Sequence, residues 1–339
     1  MDLELTDEQR LLTDAVGELL VQAQGEQLWQ SLVEFGALDT NDIGLVELAL
    51  VARALGSKLA AVPYVDSAAA HYALRGSIPE RTKVAACLSE PGRSVFAQPA
   101  ATLINRRISG EKDAVPFAES VELFVVSVGD SLAIVSRGAP GLDFEDEQTL
   151  DRSLRPALVL FDDVEPTAIL DNATQLVQLA AVGAVLACAE AVGAAAAVLD
   201  LACEYAAQRR QFGHTIGSFQ AIRHMLADMH VKVESSWSSV LYAAAALDEG
   251  LDDALQTASV AKAYGARATR DVAHGALQVF GGVAFTDEHP AHRYLRRIVV
   301  RGQQFGSAGE HERALGQYLA VEHAGRSGRK PPVPAEVRG

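Results

Sequence analysis

Apolar positions in the first part of the chain recur with a helical period. Thr6-Asp7-Glu8-Gln9 reads as a capping box, with Thr6 as N-cap and Gln9 reaching back to its amide. Leu11, Leu12, Ala15, Leu19 and Leu20 then follow on one helical face, and a second run over 46–55 repeats the pattern before Gly56. From 84 to about 170 the texture changes. Short apolar runs at 121–128, 132–135 and 157–161, separated by Gly, Pro and Asp clusters, predict strands. Beyond Asp171 the helical period returns over 175–208, 217–249, 253–280 and 307–322, with Gly213, Gly250 and Gly281-Gly282 marking ends. Four long helices with short connections predict a bundle. The chain therefore reads as mainly α with a central β domain. The expected parts are an N-terminal helical domain (1–82), a middle β-barrel or sheet domain (83–171), a C-terminal four-helix bundle (172–325) and a disordered, Pro-rich basic tail (326–339).

Composition narrows the classes of function. At 339 residues and 49% hydrophobic, the chain is long enough for a large core and for more than one domain. A net charge of −15 argues against nucleic acid and anionic membrane surfaces as partners. The apolar stretch 179–199 has the length of a membrane span, but Ala dominates it and Glu190 sits near its centre. A central acid costs about 2.5–3.5 kcal/mol on insertion scales, so a buried bundle helix is the expectation. Cys87, Cys188 and Cys203 lie far apart without metal spacing, and the N-terminus shows no targeting pattern. Reduced thiols and a cytoplasmic location are expected.

Four short motifs carry the chemistry. Arg209-Arg210-Gln211-Phe212-Gly213 ends the first bundle helix, and Gln278-Val279-Phe280-Gly281-Gly282 ends another. Arg293-Tyr294-Leu295-Arg296 and Gln303-Gln304-Phe305-Gly306-Ser307 follow. Either of the first two alone is an ordinary helix end. Together, in this order, the four closely resemble the C-terminal half of the FAD-dependent acyl-CoA dehydrogenases. The resemblance is dense over 193–297, moderate over 84–165 and thin over the first 80 residues, where the N-terminal domain looks shortened.

The resemblance implies a flavin lying across a subunit interface. Arg209, Gln211, Phe212, Gln278, Gly281 and Gly282 would hold the pyrophosphate and adenosine of a neighbour's FAD. The chemistry suits them: an arginine fork matches phosphate oxygens, paired glycines admit a bulky anion, and a glutamine both donates and accepts. The ring-cradling half departs from the family pattern. Ser89-Glu90-Pro91-Gly92 resembles the family's Thr-Glu-Pro-Gly turn, yet Arg93-Ser94-Val95-Phe96 follows it. Gly110-Glu111-Lys112 begins a family motif, but Ala114-Val115-Pro116 stands where Trp-Ile-Thr belongs. Pro116 has no N–H to donate and Ala114 cannot stack. An empty cradle in this chain is the expectation.

The family's catalytic base is also missing. α,β-Dehydrogenation needs a carboxylate near the substrate α-carbon. The two positions that carry it in the family correspond to Phe305 and Gly183. Glu190, Glu310 and Glu312 are the nearby acids, with Glu190 expected to pair with an arginine and the other two to lie at a solvated helix start. His292, Arg293, Arg296, Arg297 and Arg301 form a basic stripe, expected either to meet a phosphate of CoA or FAD or to be a solvated or interface face. The pattern resembles the shorter, base-less subunit of actinobacterial α2β2 acyl-CoA dehydrogenases of steroid side-chain breakdown. That implies a catalytic dehydrogenase partner, an acyl-CoA substrate with a bulky acyl group, and an electron-transfer flavoprotein as acceptor. A self-sufficient homomeric enzyme using Glu190, or a flavin-free scaffold, are the alternatives.

Overall fold

The structure, a computed structural model, describes residues 3–327. Four helices open it: α1 (Asp7–Gln22), α2 (Gly25–Glu34), α3 (Leu45–Ser57) and α4 (Tyr64–Ala73). The capping box at Thr6 is formed, with the Gln9 amide donating to Thr6 Oγ1 at 3.2 Å and the Thr6 amide donating to Gln9 Oε1 at 3.0 Å.

Eight strands follow: β1 (Val84–Cys87), β2 (Thr102–Ile104), β3 (Arg107–Val115), β4 (Leu123–Val128), β5 (Ser131–Ser136), β6 (Leu142–Asp146), β7 (Ala157–Val164) and β8 (Ala168–Leu170). They form two four-stranded sheets, ordered β1-β4-β5-β8 and β2-β3-β7-β6. Only the β1–β4 pairing is parallel among them. Phe124, Val126, Val159 and Phe161 belong to a core of their own, formed by the strand region.

The remainder is helical. α5 (Ala173–Gln208) leads into a short hairpin of β9 (Arg210–Gln211) and β10 (His214–Thr215). α6 (Gln220–Glu249), α7 (Ala254–Phe280), α8 (Ala291–Gln303) and α9 (Ala308–Ser327) complete it. α8 is additional to the four helices that periodicity marks, and it packs on both α5 and α7. α9 runs through Arg326 to Ser327; the rest of the expected disordered tail lies outside the described residues. By length and composition α5 could cross a membrane, but 89% of its most apolar window is buried inside the fold.

The first helices and the bundle share one core because α3 and α5 touch backbone to backbone. A Cβ at Gly56 would stand 1.9 Å from the Glu190 carbonyl oxygen, and one at Gly193 would stand 1.9 Å from that of Arg53. Only glycine admits that approach. Asp248 on α6 strengthens the joint by accepting the Leu45 amide at the start of α3 (2.8 Å) and the Tyr72 hydroxyl (2.7 Å).

α8 locks the third part in place, and here the structure corrects the reading of the basic stripe. Arg293 and Arg296 are exposed, but Arg297 and Arg301 are 0% and 1% exposed and meet neither solvent nor an open phosphate site. Arg297 donates to Asp151 (2.5 Å) and Ser153 (2.8 Å) of the strand region, to Glu190 of α5 (2.7 Å) and to the Ala60 carbonyl (2.9 Å). Arg301 pairs with the other Glu190 oxygen at 3.0 Å and donates to Gln304, whose amide donates to Asp66 at 2.5 Å. Burial pushes Asp66 up to about 6, and Arg301 offsets part of that. Lys262 of α7, also fully buried, donates to the Arg301 carbonyl at 2.5 Å. Three acids (Asp66, Asp151, Glu190) thus balance three bases (Lys262, Arg297, Arg301) in the interior.

Breaking one partner of a buried pair strands the other charge. Glu190→Gln leaves Arg297 and Arg301 short of their shared counter-ion, and the expected loss of stability is about 3–5 kcal/mol. A urea titration of both proteins measures it.

Candidate functional site

The six residues assigned to nucleotide binding gather at one end of the bundle. Cys188 Sγ donates to the Ala261 carbonyl at 3.4 Å midway along, and the Tyr205 and Phe280 rings meet at 5.3 Å near the ends. α5 and α7 therefore run parallel and finish side by side. The chain turns off α5 at Arg209, and the β9–β10 hairpin is closed by Arg210 donating to the Gly213 carbonyl (3.0 Å). Phe212, with φ +52°, is 88% exposed and stands edge-on to Phe219. Arg209, Gln211 and Gln278 are exposed too. Gly281 takes φ +66°, and a Cβ at Gly281 or Gly282 would meet no atom within 4 Å. Among the described residues Arg209 makes no ion pair. An open surface with a free guanidinium, a glutamine pair and two uncovered glycines fits a nucleotide pyrophosphate approaching from outside.

The strand-domain half is built differently. A cavity of about 410 Å³ lies between the ends of β1 and β3, the 147–150 loop, α8 and Phe305. Glu90, from the Ser89-Glu90-Pro91-Gly92 turn, is buried away from it. It accepts from Lys112 Nζ (2.7 Å) and from the Ala100 and Ala101 amides (2.6 and 3.0 Å). Burial alone would raise its carboxyl, yet Lys112 and the two amides hold it below the usual carboxylate range. The Ala114 amide is already donated to Glu147 Oε2 at 2.6 Å, Pro116 has none, and Asp113 Oδ1 is buried without a donor. A flavin ring needs donors at its carbonyl edge, and neither the committed Ala114 amide nor Pro116 supplies one.

The two positions of the missing base are in direct contact. A Cβ at Gly183 would stand 2.4 Å from the Phe305 ring, so the aromatic ring occupies the space that any side chain at 183 would need. Phe305 itself is 4% exposed with φ +57°. Its carbonyl bonds His311 Nε2 at 2.9 Å. The three nearby acids are all engaged. Glu190 has both oxygens on arginines, Glu310 accepts from the Ser307 amide and hydroxyl (2.8 and 2.7 Å), and Glu312 pairs with Arg267 at 2.6 Å. Glu190 does not line the cavity. Among the described residues no cluster of His, Cys, Asp and Glu is arranged to hold a metal.

Comparisons with known proteins bear on the C-terminal helices and on the fold. Residues 174–318 match the acyl-CoA dehydrogenase C-terminal domain. Probable acyl-CoA dehydrogenase FadE25 of Mycobacterium tuberculosis is 39% identical over 108 residues, 32% of this chain and 28% of that protein. The matched stretch is thus little more than a quarter of that relative's length. Among solved structures, a variant of the Tcur3481–Tcur3483 steroid ACAD superposes with a TM-score of 0.87, and the ChsE4–ChsE5 complex from Mycobacterium tuberculosis with 0.85. Each is 24% identical and covers 94% of this chain and 99% of the other, a likeness of fold. Residues 174–318 thus match an acyl-CoA dehydrogenase C-terminal domain, and the chain as a whole shares the fold of these solved structures.

Sequence reasoning missed the cavity and the contact between Phe305 and Gly183. A signal for the buried network was present: Arg297 and Arg301 are spaced i, i+4, and a lone glutamate lies in an apolar helix.

His311 offers a pH test beside Phe305. Burial lowers its imidazole to about 4, helped by nearby Lys262 and opposed by its bond to the Phe305 carbonyl and by Glu310. A base lowered in the folded state contributes stability that is present above its unfolded value near 6.5 and lost as pH falls through about 4. The stability advantage of the natural chain over His311→Asn therefore grows from pH 4 to 6.5 and is flat above 7. Urea midpoints across that range measure the difference.

Proposed function

We propose that this chain is the half-site subunit of a heteromeric FAD-dependent acyl-CoA dehydrogenase. The observation that carries the reading is a contrast within one fold. The nucleotide-holding end of the bundle is open and uncommitted, while both base positions are filled by Phe305 packed on Gly183. Arg209 and Gln211 would bind the pyrophosphate of a partner's FAD, Phe212 would cover it, and Gln278 with Gly281 and Gly282 would receive the adenosine. The partner would supply the ring cradle and the glutamate. The chemistry a bound FAD supplies in this family is acceptance of a hydride from the β-carbon of an acyl-CoA, giving the 2-enoyl-CoA. Electrons would leave to an electron-transfer flavoprotein. The cytoplasm suits the three unpaired thiols.

Two neighbours in fold support the wider assignment. One is a steroid ACAD and the other a complex of two named chains. Together they favour a bulky, ring-bearing acyl group and an α2β2 assembly. Against the reading of Glu190 as a relocated base stands its double pairing with Arg297 and Arg301 away from the cavity. The scaffold alternative leaves the open surface around Arg209 without a purpose.

The test is flavin content. The chain expressed alone is expected to be colourless, and the complex with its dehydrogenase partner yellow, at about one FAD per two chains. Arg209→Ala removes charge-assisted bonds worth about 1.5–3 kcal/mol, so FAD affinity of the complex falls by about ten- to a hundredfold with the assembly intact. A full flavin complement in the lone chain sinks the proposal, and unchanged flavin in the Arg209→Ala complex favours the scaffold.

A further inference from the structure

One outer face of the helical bundle carries apolar side chains that the rest of the chain leaves uncovered. On α7, Val260, Tyr264, Arg267 and Asp271 follow one another at three- and four-residue spacing and make a single ridge. Arg267 reaches Glu312 of α9 at 2.6 Å and Asp271 reaches Lys232 of α6 at 2.7 Å, so the ridge lies between those two helices. Both neighbours run antiparallel to α7. α6 joins it through the short turn at 250–253, and α9 carries on past the end of α8, where a Cβ at Gly302 would meet Ala266 of α7. Two turns on from the Arg267–Glu312 pair, Leu319 therefore comes level with Val260. Three turns on from the Lys232–Asp271 pair, Tyr242 comes level with Val260 and Tyr264. Val260 and Leu319 are 50% and 58% exposed, and Tyr242, Tyr264 and Tyr318 are 37%, 41% and 41% exposed.

α9 itself is thinly supported. Among the described residues it packs along α7 and along no other helix. A helix with apolar residues on its open side is short of burial until something covers that side. The five side chains expose on the order of 500 Å², close to the apolar share of a standard interface face of about 800 Å². The four charges beside them are already closed within the chain, Arg267 by Glu312 and Asp271 by Lys232. The face therefore needs no charged complement. A second copy, which a net charge of −15 repels in general, meets none of these four charges unpaired here.

We propose that this face is the contact between two copies of this chain, packed about a two-fold axis with Val260 and Leu319 at its centre. The inference deepens the α2β2 reading and rests on it for the place of the second unlike pair. Val260 lies roughly 27 Å along α7 from Gln278, so the partner that shares the flavin and the second copy use separate surfaces.

Sedimentation of the full chain purified alone tests the contact. At tens of micromolar the natural chain is expected at twice the chain mass. Leu319→Asp and Val260→Asp are expected at one, each raising the dissociation constant at least about thirtyfold. Both positions are half open in the single chain, so urea midpoints should hold; if Val260→Asp fails to fold, Leu319→Asp carries the test. In the complex with the dehydrogenase partner, Leu319→Asp should leave one unlike pair with its FAD per pair unchanged. A complex without flavin sinks the half-site reading and leaves the self-contact standing. A natural chain that sediments as a monomer overturns the proposal, and if Leu319→Asp then still splits the complex, the face belongs to the dehydrogenase partner. A dimer that both substitutions leave intact overturns it as well.

Discussion

The structure turns on the guanidinium of Arg297. It is wholly buried where α8, α5, the strand domain and the α3–α4 connection converge, and it donates to each of the other three. An arginine is suited to this because its planar fork holds several acceptors in fixed directions without changing protonation. Such a network contributes little net stability over an apolar core, since desolvation offsets most of the Coulombic gain. What it imposes is arrangement. Any displacement of α8 strands buried charge, so the wall of the cavity and the position of Phe305 follow from the pairing of Arg297 and Arg301 with Glu190.

That constraint accounts for the contrast between the two halves of the molecule. At the bundle end, among the described residues, no ion pair holds the Arg209 side chain and no atom lies where a Cβ at Gly281 or Gly282 would stand, so the surface is open. At the strand-domain face, groups with the right names are already committed. Glu90 is spent on Lys112 and two amides, the Ala114 amide on Glu147, and Glu190 on two arginines. A motif can therefore survive in sequence while its side chains serve only the fold.

Much of this was legible beforehand. Helix periods, the capping box at Thr6 and the alternation of strands with Gly and Pro are local properties, and local hydrogen bonding decides them. The motifs at Arg209 and Gln278 were legible because each closes a helix with residue types that favour an anion. α8 escaped because its buried face carries arginines, so a hydrophobic count sees a solvated helix. Val299 and Ala114 could not be joined as walls of one cavity, being far apart in sequence and on elements whose meeting depends on the whole fold.

The sequence by itself determined the order and kind of the elements apart from α8, the family that they resemble, and the absence of a carboxylate at positions 183 and 305. These depend on residue type and short-range spacing. Only the tertiary structure decided that Arg297 and Arg301 are interior and that the Phe305 ring fills the space above Gly183. Those are outcomes of long-range packing, where a charge acquires its meaning from partners a hundred or more residues away.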